Sequence, residues 1–310
     1  MNHYFKYIFF FVTTVISTNS SLSAAGCCDT FFANADFRVG YTYRCDKIDY
    51  ELEQTCWAIK EDIQDCFDKM TIHQISAFGN FITFDNMLVK GRFNYGWLVD
   101  GDSKTTTNID DLTITRKGCI DGCNVWDATL GFGAISSVDY CGYRITPLVG
   151  YSWHYQDIVS QNQHIKIDTF TDLTSGLCIT GLEEEYCGWW YGPWIGFDTY
   201  FDYYRGWDLF FGVELHWSGY EGEFKSKGIT INNVTFDERK RNDCGWGYGL
   251  VFNAGMDVEL CRGWNGFIHG TYQMWELECG RGKNIDNEIF DIDDFKWNSL
   301  QLTIGLRLDF

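Results

Sequence analysis

The sequence is poor in proline, in long apolar runs and in basic residues. It has 2 prolines among 310 residues, and beyond the first 25 residues no uninterrupted apolar stretch is long enough for a membrane-spanning helix, which needs about 20 apolar residues. Any span there must therefore use strands. Lys+Arg 24 against Asp+Glu 43 give a net charge of −19. Nucleic-acid binding needs a basic surface, so we predict no nucleic-acid partner.

Residues 1–25 have the pattern of a secretory signal peptide. Lys6 precedes an apolar run from Ile8 to Ile16, and small residues stand at Ser23 and Ala25, as a signal peptidase requires. We predict cleavage after Ala25, which leaves 26–34 as a periplasmic segment. The stretch 24–27 also resembles a lipobox, so acylation of Cys27 stays an alternative.

The chain is rich in cysteine, with 13 residues. In an exported chain this number indicates an oxidising compartment and disulfide bonds. The close pairs, such as Cys119/Cys123, have no second pair or histidine at zinc-site spacing, so we predict no metal site and no cofactor. The odd count leaves at least one thiol free or bonded to another molecule. Disulfide-linked envelope proteins are therefore possible partners.

Apolar and polar residues alternate in a series of segments, most clearly at 207–217, 246–258 and 300–310. A period of two with one apolar face predicts β-strands. The predicted strands cover 35–44, 72–83, 89–97, 126–132, 143–153, 193–201, 207–217, 246–258, 264–274 and 300–310. The alternation is weakest at 72–83, which we include because a closed barrel of this kind needs an even number of strands.

This pattern predicts an all-β fold: a transmembrane antiparallel up-and-down β-barrel of about ten strands over residues 35–310, in the bacterial outer membrane. Only alternate residues of such a strand face lipid, so the mean hydropathy of −0.22 is compatible with it. A soluble sandwich fits less well, because its strands are shorter. Short connections predict periplasmic turns at 84–86, 137–141, 202–206 and 260–262. Long ones predict extracellular loops at 45–71, 99–123, 155–188, 219–243 and 277–295.

The polar face of these strands would line the barrel interior. The predicted pore-lining residues are Arg38, Arg44, Lys90, Arg92, Asp127, Arg144, Asp198, Glu214, His216, Asp257, Glu259, His269 and Arg307. Charges of both signs can pair and fill the barrel, or they can be spaced along a water-filled channel. Ten strands lie between the filled and the open sizes of barrel, so both alternatives stay open.

Four motifs appear in order before the terminal Phe310: Asn94-Tyr95-Gly96-Trp97, Asn124-Val125-Trp126-Asp127-Ala128, Pro147-Leu148-Val149-Gly150-Tyr151-Ser152 and Trp190-Tyr191-Gly192-Pro193-Trp194-Ile195-Gly196. Together they resemble the protochlamydial outer membrane protein family, described as porins of chlamydia-related bacteria. The resemblance implies a porin in the outer-membrane bilayer that passes small hydrophilic solutes or ions and is not an enzyme.

Two other functions remain. One is a structural envelope barrel, cross-linked by cysteines, or an adhesin. The other follows from a looser similarity to the omptin proteases, which use an Asp pair facing an Asp-His pair at the outer rim. Asp100 and Asp102 can stand for the first pair, but residues 219–243 contain no histidine for the second. Without that general base we predict no catalytic residues.

Overall fold

The computed structural model describes residues 32–56, 59–83, 85–109, 112–120, 124–138, 143–169, 175–177, 183–204, 206–226, 229–231, 234–236, 239–284 and 288–310. Its strands are β1 (Phe32–Cys56), β2 (Ile59–Thr83), β3 (Met87–Ile109), β4 (Leu112–Ile120), β5 (Asn124–Ala134), β6 (Ser136–Val138), β7 (Tyr143–Thr169), β8 (Ser175–Leu177), β9 (Glu184–Tyr204), β10 (Trp207–Ser226), β11 (Ile229–Ile231), β12 (Val234–Phe236), β13 (Arg239–Cys261), β14 (Trp264–Asn284) and β15 (Ile289–Asp309). In these ranges no helix is long and apolar enough to cross a membrane. The predicted signal peptide and Cys27 lie outside the described residues.

The long strands form one closed antiparallel sheet. Its order is β2-β1-β15-β14-β13-β10-β9-β7, followed by β4 and β5 and then β3, which pairs back to β2. Both β4 and β5 pair with β3 on one side and with β7 on the other. They therefore share one of the ten positions of the ring. The ten-stranded barrel is confirmed, including the poorly alternating segment at 72–83, which lies within β2.

The predicted turns at one end are short, as expected, but the strands run much further than predicted at the other end. Residues 45–71, for example, are mostly paired strand, from Cys45 opposite Thr71 to Cys56 opposite Ile59. Between the long strands at this end lie 57–58, 110–111, 170–183 with β8, 227–238 with β11 and β12, and 285–288. Most residues predicted as extracellular loops thus extend the barrel itself.

An apolar belt surrounds the end of the barrel that carries the short turns. On β15 its outward side chains are Leu300, Leu302, Ile304 and Leu306, with Leu300 60% and Ile304 59% exposed. Exposed tryptophans mark its margins: Trp207 and Trp264 near the short turns, and Trp97, Trp153, Trp189, Trp217 and Trp246 at the other side. Ten residues of a strand that is tilted to the barrel axis rise roughly 25 Å along that axis, which is the height of a lipid-facing band. The belt is the membrane-spanning part, and the strand extensions lie outside the cell.

Above the belt the polarity of the two faces is reversed. On β1 the inward residues change from Arg38, Thr42 and Arg44 to Ile48, Tyr50 and Leu52, all buried. The outward residues change from Val39, Tyr41 and Tyr43 to Lys47, Asp49 and Glu51. Because water replaces lipid outside, the extension packs like a soluble barrel with an apolar interior.

Candidate functional site in the barrel interior

Asp257 contacts two arginines and one histidine at the periplasmic end of the interior. Its carboxylate lies 3.2 Å from Arg38 Nη1 and 2.7 Å from Arg307 Nη1. His269 Nε2 is 3.2 Å from its other oxygen. These residues come from β1, β13, β14 and β15, so closure of the ring brings them together.

A second charged layer lies further in, where Lys90 Nζ is 2.8 Å from Asp198 and 3.6 Å from Glu214. Arg92 Nη2 lies 3.7 Å from Glu214, and its Nη1 donates to Asn253 Oδ1 at 3.2 Å. Asp198 and Glu214 are fully buried. Buried charges are tolerated only when they are paired, which is the case here.

Arg44 occupies the middle of the barrel with no exposure to solvent. Its guanidinium binds Asp46 at 2.5 Å and Asp127 at 2.8 Å. Asp127 is also 2.9 Å from His154 Nδ1, and Asp46 accepts a hydrogen bond from Trp297 Nε1 at 3.1 Å. The network joins strands on opposite sides of the ring and crosses the interior.

Ser152, His216 and Glu214 have the order of contacts of a serine hydrolase triad. Ser152 Oγ is 3.0 Å from His216 Nδ1, and His216 Nε2 is 3.2 Å from Glu214 Oε2. All three residues are fully buried. A nucleophile must reach its substrate, so the burial of this group favours a packed hydrogen-bond network.

Seven aromatic side chains fill the interior above these charges, and we call them the aromatic plug: Tyr50, Tyr186, Trp190, Tyr220, Trp275, Phe295 and Trp297, each at most 2% exposed. Trp275 stacks on Trp297 with ring centroids 5.6 Å apart, and Tyr220 meets Phe295 at 4.8 Å. Aromatic pairs at such distances stabilise a core beyond the area they bury. The plug comes from five strands, β1, β9, β10, β14 and β15, and its rings contact one another inside the barrel.

Above the plug, in the extracellular extension, Arg241 lies between two buried carboxylates. Its Nε is 3.1 Å from Asp243 and its Nη2 is 4.0 Å from Asp65. The guanidinium also packs on the Phe224 ring, 3.9 Å from the centroid. Burial raises the pKa of both Asp65 and Asp243, although Arg241 opposes the change. The single positive charge of Arg241 thus compensates only part of the negative charge of Asp65 and Asp243.

The structure places most of the predicted pore-lining residues inside the barrel, as members of the ion pairs above. Arg144 is partly exposed at the periplasmic end, where its guanidinium lies 4.6 Å from the Tyr200 ring centroid. Glu259 is exposed beside the turn at Gly206. That these residues line an open pore stays a prediction.

Sequence reasoning missed Asp46, Tyr50, Arg241 and Asp243, because all four fall in segments predicted as loops. The signal that could have found them is continued alternation with reversed polarity. On β10, outward Leu215 and Trp217 are followed by outward Glu221 and Glu223, while the strand continues unbroken.

The cysteines do not pair with one another among the residues described. The free ones are Cys45, Cys66, Cys119, Cys187, Cys244, Cys261 and Cys279. Each stands at an outward position or at a strand end. The predicted disulfides within the chain are thus not supported for these seven cysteines. The side chains of the other six cysteines lie outside the described part of the structure.

The omptin-like pair of acids also faces away from the interior. Asp100 and Asp102 are exposed, while Gly101 and Ser103 between and beside them are buried. Lys69 forms an ion pair with Asp102 at 3.2 Å. Neither carboxylate points toward a cleft inside the barrel.

A closed ring with a lipid-facing belt, aromatic margins and a paired interior defines a transmembrane β-barrel of the bacterial outer membrane. Residues 37–310 match the family described as Protochlamydia outer membrane protein. The chain belongs to this family. No curated protein matches it.

Two solved structures are similar to this chain, and the first of them agrees on the fold. The outer membrane protease OmpT from Escherichia coli is similar with a TM-score of 0.67 at 12% identity, over 92% of this chain and 99% of that one. The translocator domain of the autotransporter NalP from Neisseria meningitidis has a TM-score of 0.35 at 12% identity, over 98% and 96%. At this identity the first likeness concerns the fold alone.

Proposed function

We propose that this barrel is a structural protein of the outer membrane whose interior is closed to solutes. The observation that carries the proposal is the continuous packing of the interior. Arg44 in the charged network and Trp297 in the aromatic plug are both 0% exposed. A general diffusion channel needs a continuous water-filled path, and these two successive levels of packed side chains oppose one.

The positions of the cysteines support a structural role. Cys119, Cys244 and Cys279 are free and exposed on the extracellular extension, and Cys261 is exposed at the periplasmic end. Thiols on an outer surface are available to neighbouring molecules in an oxidising compartment. Disulfides to other envelope proteins, or to a second copy, would then hold the barrel in a network.

Porin activity, which the sequence favours, would require the plug and the ion pairs to move. Omptin-like proteolysis has less support. Asp100 and Asp102 face outward, and the Ser152–His216–Glu214 group is buried. We therefore infer that the chain is not an enzyme of either kind.

Single-channel recording tests the closed interior. Folded protein, verified by heat-modifiable electrophoretic mobility, is inserted into planar bilayers, and a known general diffusion porin refolded in the same lipid is the positive control. We expect insertion without discrete conductance steps. Steps that require folded protein, with passage of small sugars in liposome swelling, would establish the porin instead.

Cross-linking is tested separately in intact outer membranes. We expect high-mass species on non-reducing gels that collapse with a thiol reductant and become fewer in the Cys119→Ser/Cys244→Ser/Cys279→Ser variant. A monomeric band under oxidising conditions would argue against the network, whatever the bilayers show.

A further inference from the structure

Three metal-binding side chains meet on the outer face of the extracellular extension, away from the interior network. Asp157 on β7 stands directly opposite Cys187 on β9, and Glu185 is two residues further along the same face of β9. All three are partly buried, and one ligand atom from each lies within 4.8 Å of the others. Antiparallel pairing holds these positions in place.

The separations suit a tetrahedral metal. Cys187 Sγ is 3.5 Å from Asp157 Oδ1 and 3.8 Å from Glu185 Oε1. With Zn–S near 2.3 Å and Zn–O near 2.0 Å, a tetrahedron has S···O edges of about 3.5 Å. Two edges of the coordination polyhedron are thus close to their final length before a metal binds.

The charge around these residues favours a cation. Within the described chain, Asp157 has no Lys or Arg at ion-pair distance. Lys225 Nζ is 4.0 Å from Glu185 and 2.7 Å from Glu223, and Lys240 Nζ is 2.6 Å from the other oxygen of Glu223. Two carboxylates therefore share a partly buried position beside Lys225, which also pairs with Glu223. Partly buried negative charge is costly unless it is fully compensated, so the position favours a further cation.

Aromatic residues form one wall of the same position. Tyr155 and Trp189 pack with ring centroids 4.4 Å apart, and Trp126 adds a contact to Trp189 at 5.4 Å. Tyr155 stands two residues before Asp157 on the same face of β7, directly opposite Trp189. An apolar wall beside a metal site limits the access of solvent to the ligands.

We propose that Asp157, Glu185 and Cys187 form a binding site for one divalent cation of the zinc class. A thiolate with two carboxylates favours zinc over magnesium or calcium, which prefer oxygen ligands alone. Three protein ligands leave the fourth position to water or to a group from a neighbouring molecule.

Cobalt(II) is the probe for the test, because thiolate coordination gives it a charge-transfer band that zinc abolishes by competition. The detergent-folded full barrel is titrated with cobalt and then with zinc, alongside Cys187→Ser, Asp157→Asn and Glu185→Gln. The matched control is Cys279→Ser, which removes another free outward cysteine of the extension. Heat-modifiable mobility verifies the fold of each variant.

We expect one equivalent of cobalt to produce the band in the wild type and in Cys279→Ser and not in Cys187→Ser. Asp157→Asn and Glu185→Gln should weaken binding at least tenfold while they keep the thiol, so the test survives if Cys187→Ser does not fold. An equal band in Cys187→Ser, or weak binding that is the same in all variants, would overturn the proposal.

Discussion

At the scale of single residues, the interior depends on charges that have no contact with water. Arg44 is fully buried between Asp46 and Asp127. We expect Arg44→Ala to lower the free energy of unfolding by on the order of 3–5 kcal/mol, because two carboxylates are left buried without a cation. Urea unfolding in detergent micelles, followed by tryptophan fluorescence, measures the loss.

Lys47→Ala on the same strand is the matched control. Lys47 forms an ion pair with Asp49 at 2.7 Å, but the two side chains are 46% and 40% exposed. An exposed pair contributes less than about 1 kcal/mol, so this variant should unfold almost as the wild type does. A similar small loss in both variants would mean that the Arg44 network does not stabilise the barrel.

At the scale of strands, inward glycines set how closely the wall approaches the interior side chains. A Cβ at Gly150 on β7 would lie 2.4 Å from Trp194 Cε2 and 2.3 Å from the Leu130 carbonyl oxygen, whereas a Cβ at Gly91 on β3 would meet nothing within 4 Å. We expect Gly150→Ala to cost roughly 1–3 kcal/mol by overpacking.

Gly91→Ala is its control on the lipid-facing side. Its methyl group would extend into open space, so we expect little change in unfolding free energy or a small gain from reduced freedom of the unfolded chain. The two thermal transitions, monitored as the loss of heat-modifiable mobility, should therefore separate. Equal transition temperatures would contradict the close packing of Trp194 against β7.

At the scale of the whole molecule, the ring includes the pairing of β1, the first described strand, with β15. Phe310 N donates to the Ala35 carbonyl at 2.9 Å, and Ala35 N donates to Phe310 O at 3.4 Å. The Phe310 ring itself is 70% exposed to the membrane side. We expect deletion of Phe310 to lower the amount of folded barrel in the outer membrane, because it removes both hydrogen bonds and an exposed aromatic ring.

Phe310→Tyr keeps the backbone and an aromatic ring, and it should assemble as the wild type does. The measurement is the heat-modifiable fraction in isolated outer membranes at equal expression. Normal levels of the truncated chain would show that neither the terminal ring nor the closing hydrogen bonds are needed for assembly.

Much of the fold could be predicted from local pattern. The membrane segment of each strand has apolar residues on one face, as in Leu300 to Phe310, and this alternation needs no knowledge of partners. The extracellular extension was missed because its polarity is reversed. Residues such as Tyr50 and Tyr220, which fall in the predicted loops 45–71 and 219–243, then look like loop aromatics, although the period of two continues through them.

The candidate site could likewise be predicted only in part. That Arg44, Asp127 and Glu214 would face inward follows from their place in an alternating strand. Which of these residues contact one another does not follow from the sequence. Arg44 and Asp127 are 83 residues apart in the chain and come together only when the ring closes. The grouping of Asp157 with Cys187 likewise depends on the register of β7 against β9.

The sequence by itself determined that this chain crosses the outer membrane as a barrel, because lipid on one side and a polar interior on the other impose a pattern on every strand. Only the tertiary structure decided how the interior is filled. The distance across a closed sheet depends on the number and the stagger of its strands. At ten strands the inward side chains of opposite walls reach one another, and the buried charges and aromatic rings pack against each other.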